Sequence, residues 1–282
     1  MIKILIVHGG LGNQMFAYAC GRALKRKHPF SYVSLDMLEP WDIHNGYELL
    51  KVFPNVTGHS FKFYRRQYKI YSQLFTRRFF DLKKEKEEDY CSYNPEFFKK
   101  GSCFQLYDGY WQSEKYFIKS EKVIRKVFSF DSAKLNEMSL TMFTKLEADK
   151  NSVSVHIRRG DYLAYQHYFG GICTLDYYSK SIALLKEQNP YSTFYFFSDD
   201  MDWVRENFKD LNATFIDWNI KDDSWQDMFL MSRCKNNIIA NSSFSWWGAW
   251  LNENPYKTVI APQKWFRDIP GNDIIPESWI KI

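Results

Sequence analysis

Residues 152–162 read SVSVHIRRGDY, a short run of β-branched and apolar residues that passes directly into two arginines. SVSVHI predicts a buried strand at 152–157. Further apolar strands follow at 193–197 (TFYFF), 213–216 (ATFI), 236–240 (NNIIA) and 257–261 (KTVIA). Helical segments at about 175–188, 200–208, 224–234 and 244–253 separate them. Strands alternating with helices predict a parallel sheet covered on both faces, a doubly wound α/β domain. Ligands of such sheets bind beyond the carboxyl ends of the strands, where Arg158 and Arg159 stand.

The chain begins with a similar unit. IKILIV at 2–7 predicts a buried strand, Gly9, Gly10 and Gly12 end it, and a helix follows from near Asn13 to a basic last turn. The glycine turn offers backbone N–H groups at a helix N-terminus, and Asn13 and Gln14 put two amides where a phosphate or sugar hydroxyl would lie. Farther on, Phe61, Tyr64, Tyr68, Tyr71, Phe75, Phe79 and Leu82 recur at steps of three or four, among six lysines and arginines. This predicts an amphipathic helix over 61–82 packed on the N-terminal domain; the second reading is a basic helix lying on anionic lipid. The charge run KKEKEED at 83–89 is expected to be a solvated linker. The domain boundary is placed at 150, giving domains 1–150 and 151–282.

Composition narrows the function classes. Nineteen per cent of residues are aromatic, material for sugar-stacking surfaces as well as for cores. A net charge of +5 suits a small anionic ligand and does not by itself argue for nucleic acid. The aromatics of 61–82 form a stripe of their own and do not interleave with the basic residues, which also disfavours single-stranded nucleic acid. Five scattered cysteines, with no C-x-x-C pair, argue against a disulfide framework or zinc site and for a reducing compartment. No uninterrupted apolar run reaches the roughly 18 residues of a membrane span, and the N-terminal run is too short for a signal peptide. A cytoplasmic protein is expected.

Two adjacent arginines at a sheet end are costly unless an anion separates their charges, and guanidinium forks match diphosphate oxygens. In sugar transfer from a nucleotide sugar, fixed arginines would neutralise the charge that grows on the departing phosphate, as a metal ion does elsewhere. The bland alternative is a surface ion-pair cluster. The strand at 193–197 leads into Ser198, Asp199 and Asp200. Asp200-Met201-Asp202 has the D-x-D spacing of a magnesium site, but acids in a first helical turn are better read as caps. Asp227, three residues after Ser224, fits either a capping box or a carboxylate reading a purine edge. Asn241, Ser242 and Ser243 stand where a strand becomes a helix, again an anion-binding arrangement. Trp246 and Trp250, one turn apart, are expected in the core.

GGLGNQMFAYA at 9–19, HIRRGDY at 156–162, FSDD at 197–200 and DMFLMSRCKNNIIANSSFSWWGAWL at 227–251 together resemble the bacterial α-1,2-fucosyltransferases. The resemblance covers most of the chain except about 40–150. It implies a GT-B fold of two facing Rossmann-like domains, GDP-β-L-fucose as donor, a terminal β-galactoside as acceptor, inversion at the fucose anomeric carbon and no metal. It implies that Arg158 and Arg159 clamp the diphosphate, His156 and Asp227 contact guanosine, and Ser242 and Ser243 contact phosphate. Gly10, Gly12, Asn13 and Gln14 would form an N-terminal lip over the donor, and Asp199 is grouped with the donor contacts. The α-1,6 relatives carry a glutamate some residues after the arginines, where this chain has LAYQHY. Asp161 is therefore the expected recipient of the acceptor proton. A transferase for another sugar or linkage is the nearest rival, followed by a non-catalytic glycan- or nucleotide-binding protein.

Overall fold

The computed structural model describes residues 2–37, 45–58, 80–271 and 273–282, with no account of the side chains of 35–37 and 80. The chain divides into two compact units, Met1–Phe130 with Ile269–Ile274, and Asp131–Asp268 with Ile275–Ile282.

Among the described residues the first unit carries a four-stranded parallel sheet. Its strands are β1 (Ile2–Val7), β2 (Ser31–Met37), β3 (Phe80–Lys84) and β4 (Phe104–Asp108), in the order β2-β1-β4-β3. β1 is central, and its residues from Lys3 to Val7 are buried, as a strand covered on both faces requires. Ile4, Ile6 and Leu106 form an apolar cluster against which Leu82 packs. Helix α1 (Leu11–Lys27) follows the glycine turn and ends on Lys25, Arg26 and Lys27, cations that complement its dipole.

Two expectations fail here. Residues 61–79 of the anticipated 61–82 helix lie outside the described residues, but 80–82 belong to β3, paired in parallel with β4. The charge run beginning at 83 is not a solvated linker either. Lys83 and Lys84 complete β3, Glu85 is buried, and Glu87–Asp89 form a 3-10 turn. Pairing with the apolar strand β4 sets this conformation, which local charge density cannot reveal.

The second unit carries a six-stranded, wholly parallel sheet. Its strands are β5 (Ser152–Ile157), β6 (Thr193–Ser198), β7 (Ala213–Ile216), β8 (Asn236–Ile238), β9 (Val259–Ala261) and β10 (Ile280–Lys281), in the order β10-β9-β8-β5-β6-β7. Every residue of β5 is buried. Val153, Val155 and Ile157 face a core shared with Tyr177, Tyr178, Ile182 and Leu185 of helix α4 (Leu175–Gln188) and with Val204 of α5 (Met201–Asn207). α6 (Trp225–Arg233) and α7 (Ser243–Leu251) pack on each other. Trp246 and Trp250 are buried and stacked 6.0 Å apart, in the core as expected.

The boundary falls at 130, not 150. Helix α3 (Glu137–Ala148) belongs to the second unit, capped by Asn136, whose Oδ1 accepts from Ser139 N at 2.8 Å. Asn136 N donates to Gln226, Ser139 Oγ donates to Asn219, and Phe143 packs on Phe229 at 5.1 Å. These partners are about 80–90 residues away in sequence, so no local change of composition marks the boundary. Among the described residues no helix is long and apolar enough to cross a membrane.

Candidate active site

In the second sheet the chain runs from β5 outward through β6 to β7, then returns to β8 beside β5 and proceeds to β9 and β10. The strand order thus reverses between β5 and β8, and in open parallel sheets ligands bind beyond the carboxyl ends of the strands at such a reversal. The Arg158–Tyr162 segment leaves β5 there, and Asn241–Ser243 follows β8.

Arg158 bonds Asp161 with two prongs, Nε to Oδ1 at 2.8 Å and Nη2 to Oδ2 at 2.9 Å, and its Nε lies 3.1 Å from Asp199 Oδ2. Arg159 Nε donates to Asp200 Oδ2 at 2.9 Å, and its guanidinium lies 4.2 Å from the centre of the Trp203 ring. Asp199 Oδ1 accepts from Arg159 N at 2.8 Å. Asp200 also caps α5, its Oδ1 accepting from Trp203 N at 3.3 Å, the capping role expected of it. Three carboxylates therefore separate the two guanidinium charges, a task the sequence argument had reserved for a bound anion. Burial opposes ionisation of Arg158, yet its bond to Asp161 and the nearby Asp199 hold it more firmly protonated than a free arginine.

The pairs leave donors over. Arg158 Nη1 and both terminal nitrogens of Arg159 make no hydrogen bond to any described residue, and the two side chains are 28% and 30% exposed. The aspartates fix the guanidinium planes, and the remaining N–H groups are available to an oxyanion without having to be ordered first.

Gly160 makes this packing possible. A Cβ there would lie 2.9 Å from Asp199 Oδ2 and 3.1 Å from its Cγ, so any other residue displaces the carboxylate that holds both arginines. Tyr162 joins the segment that follows β5 to the one that follows β8. Its hydroxyl donates to the carbonyl of Asn241 at 2.8 Å, and its ring stacks on Phe169 at 4.0 Å. Neither residue was assigned a task from sequence, although both stand inside the quoted motif. Ser242 is largely buried as the N-cap of α7, its Oγ accepting from Phe244 N at 3.3 Å, while Ser243 opens the helix and is partly exposed.

His156 lies on the opposite face of β5 from Val155, with its ring 5.9 Å from that of Phe244. It is buried and its Nδ1 has no partner among the described residues. Burial, reinforced by Arg158, pushes its pKa down to about 3, so the ring is neutral at physiological pH. An unsatisfied buried nitrogen costs about 1–3 kcal/mol, which a hydrogen-bonding ligand would recover. Asp227 lies in the first turn of α6. Its Oδ1 accepts from Asn219 Nδ2 at 2.7 Å, and Asn219 accepts in turn from Asn136 and Ser139. Burial pushes the Asp227 carboxyl up to about 8; the Asn219 bond pulls the other way and Asp217 adds to the rise. The capping box does not form, since the Ser224 hydroxyl makes no capping bond.

The first unit's glycine turn corrects one assignment. Gln14 is fully buried and its amide is spent internally: Nε2 donates to the carbonyls of Gly9 and Gly46, and Oε1 accepts from Glu48 N and Leu49 N. It holds the turn and is not free to touch a ligand. The carbonyl of Gly10 takes the N–H groups of Asn13 and Gln14, so these two do not form an anion cradle. Gly12 is buried, whereas Gly10 and Asn13 remain partly exposed, with Asn13 Oδ1 accepting from Gln112 Nε2 at 2.7 Å.

Residues 7–282 match the model of Glycosyl transferase family 11. The chain is 35% identical to the alpha-1,2-colitosyltransferase of Escherichia coli, covering 100% of this chain and 99% of that protein. It is 32% identical to the O-antigen biosynthesis glycosyltransferase WbnK of Escherichia coli, covering 97% and 98%. Among solved structures it is similar to POFUT1 in complex with GDP, at a TM-score of 0.51 and 12% identity over 92% of this chain and 97% of that one. The fold is the GT-B type, and the chain belongs to glycosyl transferase family 11.

Proposed function

We propose that this glycosyltransferase moves L-fucose from GDP-β-L-fucose to the 2-hydroxyl of a terminal β-galactoside, with inversion and without a metal ion, to form an α-1,2 linkage. The observation that carries this reading is the arginine pair at the strand-order reversal, immobilised by Asp161, Asp199 and Asp200 and retaining unspent N–H groups. Those groups fit the oxygens of a nucleoside diphosphate leaving group, on which negative charge accumulates as the sugar becomes cation-like. Arg158 and Arg159 stabilise that charge, and Asp161 and Asp199 hold them. Ser242 and Ser243 contribute at the phosphates. His156 and Asp227 recognise the nucleoside: an unpartnered neutral imidazole and a half-satisfied carboxyl suit the polar edge of a purine.

A second reading keeps the linkage and changes the sugar, because the relative that is 35% identical over the whole chain is named for colitose. Both are tested by incubating the enzyme with lactose and either GDP-fucose or the corresponding colitose donor, then measuring GDP release and determining the product linkage by NMR. An α-1,2 product from GDP-fucose supports the first reading. Turnover with the colitose donor alone selects the second. GDP release with neither donor, across a panel of β-galactosides, contradicts both.

A further inference from the structure

β3 and β4 end side by side in the first sheet, and the segments that leave their carboxyl ends line a cavity of about 90 Å³. Glu85 follows β3 directly, and Trp111 comes three residues after β4. Both line the cavity and both are buried, at 6% and 5% exposure. Glu85 Oε2 accepts from Tyr110 N at 2.7 Å and Trp111 N at 3.2 Å, which fixes the Tyr110 loop. Its Oε1 makes no hydrogen bond to any described residue. Trp111 Nε1 is buried and likewise has no partner among the described residues. One acceptor and one donor are thus left open on the same cavity.

The backbone is bent to hold them there. Trp111 takes φ +50°, a left-handed conformation that is uncommon for a bulky side chain and persists only where its surroundings enforce it. Glu85 takes its N–H, while Ser113 N and Cys20 Sγ donate to its carbonyl at 3.0 and 3.4 Å. Gly109 carries no Cβ; one would lie 2.5 Å from Glu85 Cβ and 3.1 Å from Trp111 Cε2, the carbon bonded to Nε1. The carboxyl and the polar edge of the indole therefore close on one small space that only a glycine leaves open.

We propose that this cavity is a carbohydrate subsite, in which a sugar hydroxyl accepts from Trp111 Nε1 and donates to Glu85 Oε1. The bound group has to do both, which excludes an ammonium, with no lone pair, and an ionised carboxylate, with no proton to give. The lining adds no net charge beyond Glu85, since Lys83 and Lys84 offset Asp89 and Glu96, and this favours a neutral ligand. Aromatic rings form the walls. Phe97 packs against Tyr107, Trp111 and Tyr116 at 4.9, 5.0 and 4.8 Å. Both tyrosine hydroxyls are spent, Tyr107 on the carbonyl of Phe97 and Tyr116 on that of Ser92, so these residues offer their rings to the C–H groups of a sugar. A cavity of about 150 Å³ holds benzene, so this smaller one admits an edge of a hexose, such as its hydroxymethyl arm, and not the whole ring.

That the hydroxyl belongs to a glycan rests on the transferase reading, and the experiment keeps the two apart. Methyl glycosides of galactose, glucose and N-acetylglucosamine are titrated at pH 8 into the full chain labelled with nitrogen-15 tryptophan. Burial pushes the Glu85 carboxyl up to about 7, so at that pH Oε1 is an acceptor. At least one glycoside is expected to shift the Trp111 indole N–H resonance saturably. Melting temperature and GDP affinity report on the fold of each variant. Glu85→Gln keeps an oxygen for the two backbone N–H groups and turns Oε1 into a donor, which should weaken that glycoside about tenfold. Trp111→Phe keeps a ring wall and loses the donor, and should weaken it about fivefold, read from the ligand's own signals. A Trp111 resonance that no glycoside moves overturns the subsite and leaves the cavity to water. A glycoside bound as well by both folded variants as by the wild type overturns it too. Transfer from GDP-fucose to lactose is assayed alongside: binding at Trp111 without transfer contradicts the functional reading alone, and transfer without binding there contradicts the subsite alone.

Discussion

Arg158 and Asp161, three residues apart, form a two-pronged ion pair at the mouth of the second sheet, with contacts of 2.8 and 2.9 Å. Asp199 closes on Arg158 from the next strand at 3.1 Å. The guanidinium is therefore held on one edge by carboxylates and open on the other. Its orientation is settled before a donor arrives, and electrostatic stabilisation of a leaving group depends on that preorganisation.

Arg158→Lys keeps the charge and loses the fork, so it should behave much like Arg158→Ala. Each should lower kcat/KM by about 10²–10³-fold, the range found when one donor to a developing oxyanion is removed. Asp161→Asn places an amide N–H against the guanidinium and should cost less, about tenfold, because Asp199 still holds Arg158. Steady-state kinetics with both substrates varied checks the order. Loss in Asp161→Asn as deep as in Arg158→Ala would give Asp161 a task beyond holding the guanidinium.

Asp227 gives a pH dependence of defined sign. Its folded-state pKa of about 8 lies above the ordinary aspartate value, so the folded chain holds a proton that the unfolded chain releases. This contribution to stability is full below about pH 4 and is lost as pH rises through about 8. Melting temperatures should fall across that window, and Asp227→Asn should flatten the fall. If a purine donates two N–H bonds to this group, GDP binding at pH 7 releases a proton. Calorimetry in buffers of different ionisation enthalpy detects it, and Asp227→Asn abolishes it.

His156 acts in the opposite range. Its pKa of about 3 is depressed relative to an unfolded histidine, so its contribution is intact above about pH 6.5 and is lost as pH falls toward 3. His156→Gln should remove that part of the acid sensitivity seen in denaturant midpoints. It should also weaken GDP binding, since no other ring nitrogen replaces the unpartnered Nδ1.

Much of the second unit is legible from apolar spacing. β5 at 152–157 and α4 at 175–188 lie where the periodicity places them, because the central strand is buried over its full length and its covering helix buries one face at helical spacing. The arginines were recognisable for the same reason, being the first polar residues after a buried strand. Their partners were harder to read. Asp199 and Asp200 reach Arg159 across about 40 residues, and only the pairing of β5 with β6 brings them there. Gln14 looked like a ligand contact because amides after a glycine turn often are. Its true partners, Gly46, Glu48 and Leu49, arrive from a segment without a recognisable motif. Glu85 shows the same limit from the other side: it sits in a run of charges, yet burial pushes its carboxyl up to about 7 while it supports the Tyr110 loop. Charge density along a chain does not report which charge the sheet will cover.

The central claim is that Arg158 and Arg159 hold the donor's diphosphate in the role a metal ion plays elsewhere. GDP release from GDP-fucose and lactose, measured in excess EDTA for the wild type and Arg159→Ala, tests it directly. The account predicts a wild-type rate within about twofold of that without chelator, and a loss of about 10²-fold or more in Arg159→Ala. Abolition of wild-type turnover by EDTA, with recovery on adding magnesium, would contradict it.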